Sequence, residues 1–182
     1  MPKRKLTEVI SDLNDALSIG LSYQNIDFYN LCKKQEKDGA MLILSRDGRD
    51  VSGKLANLSK RNKGIIYHRI IDEAVDKRPS KGRESIQFIR TTVRLIGWIK
   101  RPDIRTQPNW DDQELMNEAL FVVNSNDFLA RRETVKVVNA SSDFIEIMEE
   151  EIGKENINKK LTYELTMFYV DYEVQQLQKC VF

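Results

Sequence analysis

The sequence has few of the residues on which common metal sites and catalytic sites depend. Its 182 residues include two cysteines and a single histidine, His68. Cys32 and Cys180 lie far apart and neither belongs to a Cys-x-x-Cys pair, which excludes a disulfide framework. A zinc site would need both cysteines and His68 to converge with a carboxylate, so two buried free thiols is the simpler interpretation.

The sequence also lacks a long hydrophobic run. No stretch approaches about 18 consecutive apolar residues, so we expect no membrane-spanning helix. The basic N-terminus, Met1–Lys5, is not followed by an unbroken apolar segment, so we expect no signal peptide. Hydrophobic residues make up 41% of the chain and charged residues 31%, which is enough for a folded core. We therefore expect a soluble intracellular protein.

Motifs of phosphate-binding loops and nucleophilic serines are missing as well. There is no Gly-x-Gly-x-x-Gly, Gly-x-x-x-x-Gly-Lys or Gly-x-Ser-x-Gly. His68 has apolar neighbours in a strand-like run, which favours a structural hydrogen bond over a catalytic base. Asp47 with Asp50 is an acidic pair of the kind that holds Mg²⁺ in nucleases, and Asp111-Asp112 is a second. No Glu-x-Lys accompanies them, so we interpret them as a turn and a helix start. We expect no metal, no cofactor and no enzymatic activity.

Charge is nearly balanced overall but unevenly distributed. The formal net charge is +1, yet residues 46–105 carry 16 basic and 7 acidic side chains, whereas residues 106–182 carry 7 basic and 15 acidic ones. Three interpretations are open. The basic block binds phosphate, pairs with the acidic block of the same chain, or meets the acidic block of a neighbouring copy, head to tail.

Candidate interaction residues follow from this asymmetry. The basic candidates for contact with DNA or a neighbouring copy are Lys77, Arg78, Lys81, Arg83, Arg90, Arg94, Lys100, Arg101 and Arg105. The complementary acidic candidates are Glu146, Glu149, Glu150 and Glu151. Phe88 and Trp98 are interleaved with the basic residues, which suits phosphate contact, while a solvated, partner-facing loop is the other interpretation.

Hydrophobic periodicity predicts helices and strands in the first third of the chain. Apolar residues spaced as on one helix face predict a helix over about 5–18. Strand-like runs at about 26–36 and 40–45 flank Asp38-Gly39, a strong hairpin signal. Residues 46–63 are polar and contain glycine, which predicts a loop.

A long hairpin is predicted in the middle of the chain. Strand-like runs occupy residues 64–71 and 85–99. Between them, residues 76–84 have no hydrophobic side chain and predict an exposed loop at the hairpin tip. We expect the hairpin, about 64–99, to be a basic excursion from a single domain of residues 1–182.

Two helices and two strands are predicted in the remainder. One helix begins at Asp111, a short strand lies near 135–137, and a second helix begins after 141–143 and stops at Gly153. A long strand is predicted over 161–174. Its second half is apolar on both faces, so we expect other elements to pack against both sides of it. The sequence thus predicts an α+β fold, with a mainly antiparallel sheet packed against two or three helices.

This order of elements resembles small virion proteins of tailed bacteriophages, in particular the tail-terminator and tail-completion (neck) proteins. The residues that carry the likeness are Ile26–Leu44 with its Asp38-Gly39 turn, Ile65–Ile71 with Ile86–Ile99, the helix from Asp111, and Leu161–Val174. The resemblance implies a non-enzymatic subunit that forms a homo-oligomeric ring, often a hexamer, joining the tail tube to neck or connector proteins. It also implies assembly in the host cytoplasm, location in the virion and DNA passing through the ring. The segment 46–63 has no counterpart in that family.

A nucleic-acid-binding accessory protein that uses residues 77–105 is the alternative function. The neutral total charge disfavours it, because dedicated nucleic-acid binders usually carry excess positive charge. Blocks of opposite charge on one chain suit a ring closed by complementary faces.

Overall fold

The fold is given by a computed structural model, which describes residues 5–21, 25–37, 40–51, 64–79, 85–100, 112–125, 134–153 and 165–177. Helices and strands are interspersed within these described ranges. In chain order they are α1 (Leu6–Gly20), β1 (Ile26–Lys37), β2 (Ala40–Ser45), β3 (Gly64–Pro79), β4 (Ser85–Lys100), α2 (Asp112–Ser125), β5 (Thr134–Ser141), α3 (Phe144–Ile152) and β6 (Leu165–Leu177). The predicted α+β class is confirmed.

The described strands form one six-stranded sheet in the order β2-β1-β3-β4-β6-β5. Neighbouring strands are antiparallel except for β1 and β3, which are parallel. β1 and β2 form the predicted first hairpin, with Lys37 opposite Ala40. The predicted turn residues between them, Asp38-Gly39, lie outside the described residues.

β3 and β4 form the predicted long hairpin, with 16 residues in each strand. The predicted loop over 76–84 is wrong for residues 76–79, because β3 continues to Pro79, which is paired with Ser85. Residues 80–84 lie outside the described part of the chain. The polar side chains at 76–79 do not prevent the strand, since pairing between two consecutive strands uses backbone hydrogen bonds and needs no apolar face.

Both faces of the sheet are covered by helices. On one face α1 and α2 pack against inward residues of β3, β4 and β6, among them Ile66, Leu95, Phe168 and Val170. On the other face α3 packs through Ile147 and Met148 against Tyr67, Trp98, Met167 and Tyr169. This arrangement explains why β6 is apolar on both sides, as its sequence pattern predicts.

α3 has the predicted boundaries because both of its ends are capped. The carboxylate of Asp143 accepts hydrogen bonds from the backbone N–H groups of Ile145 and Glu146, at 3.0 and 3.1 Å. Gly153 ends the helix with φ of 90°, a conformation that glycine adopts readily. These two caps fix the residues at which α3 begins and ends.

Candidate functional site

Six charged side chains from four strands and one helix meet on the α3 face of the sheet. We call them the charge cluster: Lys34, Arg69, Arg94, Glu150, Glu151 and Asp171. Three are basic and three are acidic, so the cluster is formally neutral. It brings the basic block and the acidic block of the sequence together within one chain.

Arg94 and Asp171 form the centre of the charge cluster. They lie directly opposite each other on β4 and β6, and both are less than one-tenth exposed. The guanidinium group also lies over the ring of Tyr169, 3.8 Å from its centroid, and donates a hydrogen bond to Glu150. The sequence-based prediction that Arg94 faces DNA or a neighbouring copy is wrong, because its guanidinium is buried and bound to its own chain.

Arg69 joins the last turn of α3 to the sheet. One of its terminal nitrogens donates to Glu150 Oε1 at 2.9 Å and to Glu151 Oε1 at 2.6 Å. Glu151 is 1% exposed, and its second oxygen accepts a 2.9 Å hydrogen bond from the hydroxyl of Tyr67. Burial raises the pKa of Tyr67 well above its ordinary value, and the charge of Glu151 raises it further. The ammonium group of Lys34 is 3.6 Å from Glu151 Oε1.

The basic partners offset an unfavourable feature of α3. Acidic residues in a last helical turn are repelled by the negative end of the helix dipole. Burial raises the pKa of Glu150, but the charges and hydrogen bonds of Arg94 and Arg69 outweigh it, so the pKa is lowered overall. For these residues the charge asymmetry therefore reflects pairing within one chain, the second of the three interpretations.

The other predicted basic residues lie elsewhere. The side chain of Arg90, on β4, is 39% exposed, with nitrogens 3.8 Å from carboxylate oxygens of Asp76 and Glu173. Lys100 ends β4 and is half-buried. The side chains of Lys77, Arg78, Lys81, Arg83, Arg101 and Arg105 lie outside the part of the chain that the structure describes. That these residues contact DNA or a neighbouring copy stays a prediction.

The predicted acidic residues divide between surface and interior. Glu146 and Glu149 are exposed on α3, and Glu146 accepts a 3.4 Å hydrogen bond from the hydroxyl of Ser141. The prediction that Glu151 faces a partner is wrong, because it is buried against Arg69 and Tyr67. Sequence reasoning found this acidic run but not its partners, which come from distant strands.

His68 lies on the opposite face, where both of its ring nitrogens are occupied. Nε2 is 2.8 Å from Asn14 Oδ1, and Nδ1 is 2.9 Å from the hydroxyl of Tyr172. The amide nitrogen of Asn14 donates to the backbone carbonyl of Tyr29 and to Oδ1 of Asn30, which leaves Oδ1 of Asn14 as an acceptor toward His68. Nε2 therefore donates, and Nδ1 accepts from Tyr172. Burial lowers the pKa of His68 to about 3, which keeps the ring neutral. The predicted structural hydrogen bonding of this histidine is confirmed.

Cys32, His68 and Asp47, the described residues weighed for metal binding, lie apart from one another. Cys32 belongs to the core layer under α3, whereas His68 faces α1, and Cys180 lies outside the described residues. Asp47 is exposed in a turn, where its carboxylate is 2.8 Å from Nε of Arg49. Within the described ranges, no group of three His, Cys, Asp or Glu residues is placed to hold a metal ion.

An open strand edge with three exposed apolar side chains lies on the long hairpin. β1 pairs with β3 only as far as His68, and beyond it no described strand lies beside the outer edge of β3. Ile70 and Ile71 are each 42% exposed there, and Val75 is 55% exposed. We call residues 70–79 of β3 and 85–93 of β4 the distal hairpin. Sequence reasoning predicted the hairpin but not its open edge, which depends on where β1 stops pairing.

Comparison with known proteins adds no functional assignment. The chain matches no model of a protein family and no curated protein sequence. In the described part of the chain, no helix has both the length and the apolar character needed to cross a membrane.

Proposed function

We propose that the protein is a structural subunit of a tailed bacteriophage, of the tail-terminator or tail-completion type, that assembles into a ring through its distal hairpin. The open edge of β3, with its exposed Ile70, Ile71 and Val75, is the observation that carries this proposal. In the virion the ring would join the tail tube to neck or connector proteins, with DNA passing through it. No reaction is assigned to the subunit.

The length of the open edge is the first argument. Residues 69–79 of β3 span about 35 Å at about 3.3 Å per residue, and no described strand pairs with their backbone donors and acceptors on one side. Natural proteins shorten, charge or cover such edges, because an uncovered edge pairs with other chains. This edge carries Asp72, Glu73 and Asp76 as well as the exposed Ile70, Ile71 and Val75, so its charges favour a specific neighbour over unspecific pairing.

The second argument is that polar groups on both faces of the sheet take part in packing, although Nε of Arg69 and Nε1 of Trp98 are buried without a hydrogen-bond partner among the described residues. Within the described residues, His68 and the charge cluster bind to groups of their own chain on both faces of the sheet. Helices pack on both faces of the sheet and make it rigid. The distal hairpin extends beyond this packed region. Rigidity of this kind suits a subunit that is placed by contacts with its neighbours.

The proposal is tested by the mass of the purified protein in solution. We expect discrete oligomers, seen as rings in particle images, that loosen as salt rises from about 0.1 M to about 1 M, because the Debye length falls from about 10 Å to about 3 Å. Arg69 and Arg94 are bound internally, so this salt dependence comes from other charges.

Val75→Glu is the variant that addresses the distal hairpin. A charge at this exposed position disfavours burial at a subunit contact and leaves the core unchanged. We therefore expect Val75→Glu to fold normally and to remain a monomer. Val138→Glu, at a position 53% exposed on β5, is the matched control and should assemble normally. A wild-type protein that is monomeric at every concentration and salt, or unchanged assembly of Val75→Glu, would contradict the proposal.

A further inference from the structure

A groove lies between α1 and α2 on the face of the sheet opposite the charge cluster. It measures about 500 Å³, and its lining includes Ala16, Ile19, Phe121 and Val122. Ile19 is 86% exposed and Phe121 is 76% exposed, the highest values among the large hydrophobic residues in the described part of the chain. Exposed aromatic and branched side chains around a concave surface are typical of protein interaction sites.

The close approach of the two helices gives the groove a fixed shape. Gly20 ends α1 beside Val122 of α2, and a Cβ placed on Gly20 would lie 2.5 Å from Cγ2 of that valine. Leu17 and Val123, from the same parts of the two helices, are fully buried in the core. A groove whose walls are already packed loses little entropy when it binds a partner.

The two helices that form the groove carry negative charge only. Their sequences contain no basic residue and six acidic residues: Glu8, Asp12, Asp15, Asp112, Glu114 and Glu118. Asp12 and Asp15 belong to the lining of the groove, next to its apolar residues. The groove therefore combines apolar walls with a negative potential, which suits an apolar occupant that also carries cations.

The shape and the charge together select one kind of occupant. A groove between two helices is suited to the apolar face of an amphipathic helix. The third described helix of this chain, α3, has four acidic residues and no basic residue, so no described helix of a second copy has the required charge. Two copies that met groove to groove would bring like charges together. The occupant is therefore expected from a different protein.

We propose that the groove between α1 and α2 binds a basic amphipathic helix of a partner protein. Apolar side chains of that helix would pack against Ile19 and Phe121, and its lysine or arginine residues would lie beside Asp12 and Asp15. This inference goes beyond the proposed function and does not depend on it, because the distal hairpin is formed by β3 and β4 and the groove by α1 and α2.

A labelled synthetic peptide tests the proposal. The peptide has about 18 residues, or about five helical turns, with leucine along one face and lysine on both flanks. We expect its fluorescence anisotropy to rise to saturation as the whole chain is added at about 0.1 M salt. A peptide with glutamate in place of every lysine should bind at least about 10-fold more weakly, because it is repelled by the acidic lining. A scrambled peptide without an apolar face should also bind at least about 10-fold more weakly.

Two variants with matched controls place the binding in the groove. Phe121→Ala removes the exposed aromatic contact and should weaken binding at least about 10-fold, whereas Ile145→Ala, at a position 58% exposed on α3, should not. Asp15→Lys reverses a charge in the groove and should also weaken binding. Glu149→Lys changes the net charge by the same amount at an exposed position on α3, so it should bind the peptide nearly as the wild type does.

Other occupants would give different results. Phe121 is exposed on a helix, so Phe121→Ala should leave the urea midpoint and the mass in solution unchanged. A clearly lower urea midpoint would show that a segment of the same chain fills the groove, and a loss of assembly would show that a second copy does. Either result overturns the proposal. It is also overturned if the basic peptide shows no saturable binding, or if Asp15→Lys and Glu149→Lys weaken binding equally, since binding would then follow overall charge.

Discussion

Arg94 and Asp171 are joined by two parallel hydrogen bonds between directly opposed positions of β4 and β6. Nε of Arg94 is 2.7 Å from Oδ1, and a terminal nitrogen is 2.9 Å from Oδ2. This two-point geometry is the strongest form that an arginine–carboxylate pair takes. Because both side chains are buried, water cannot hydrate the remaining charge if the other residue is replaced.

Removing one member of this pair should destabilise the protein strongly. We expect Arg94→Met or Asp171→Leu alone to lower the free energy of unfolding by about 3–5 kcal/mol, because each leaves a buried charge without its main partner. The double variant should lose less than the sum of the two, since it removes both charges. Urea unfolding of all four proteins measures the coupling. If the two single effects add up to that of the double variant, the two residues do not stabilise each other.

Gly97 should tolerate no side chain. A Cβ placed there would lie 2.4 Å from Cε1 of Phe168, its cross-strand neighbour on β6. We expect Gly97→Ala to lower the free energy of unfolding by about 1–3 kcal/mol through overpacking. Phe168→Leu leaves room beside residue 97, so Gly97→Ala should cost less in that background. An equal cost in both backgrounds would point to a backbone effect of the glycine instead.

Periodicity along the chain was sufficient to predict most elements of the fold. The alternation in β6 predicted its two buried faces, and the capping residue Asp143 with Gly153 bounded α3. These features depend on neighbours in the sequence, so a local pattern carries them. The extension of β3 to Pro79 was missed because its polar side chains match a loop, although the partner strand is sufficient to pair it.

Long-range pairing could not be predicted from the sequence. The parallel contact of β1 with β3 joins strands that are separated by β2 and residues 46–63, and no local signal marks it. The same limit applies to the candidate sites. Charge counting identified Arg94 and Glu151 as surface candidates, but burial depends on which strands and helices meet around them. The open edge of β3 likewise follows from the end of its pairing with β1.

Cys32 should be unreactive in the native protein. Burial, aided by the charge of Asp47, raises the pKa of its thiol to about 12, so almost no thiolate forms near neutral pH. In a Cys180→Ser variant Cys32 is the only thiol, because the chain has two cysteines. We expect a maleimide to label that variant only when denaturant is added. Rapid stoichiometric labelling of the folded protein at about pH 8 would contradict the buried position.

The neutral state of His68 should make the protein less stable as the pH falls below neutrality. The pKa of His68 is about 3 in the folded protein and about 6.5 in an unfolded chain, so the unfolded state binds the proton first. The stabilising effect is complete above about pH 6.5 and decreases steadily as the pH falls toward about 3. Between about pH 7 and about pH 5 the loss should be about 2 kcal/mol.

Replacement of His68 isolates this effect from the carboxylates. His68→Gln can retain the hydrogen bond to Asn14 and has no titrating group, so its free energy of unfolding should change much less over that pH range. Glu150, whose pKa is lowered by Arg94 and Arg69, stays ionised at about pH 5. Urea unfolding at the two pH values gives the comparison. Equal losses in the wild type and in His68→Gln would mean that another group binds the proton and that the ring of His68 is not held neutral by its burial between α1 and the sheet.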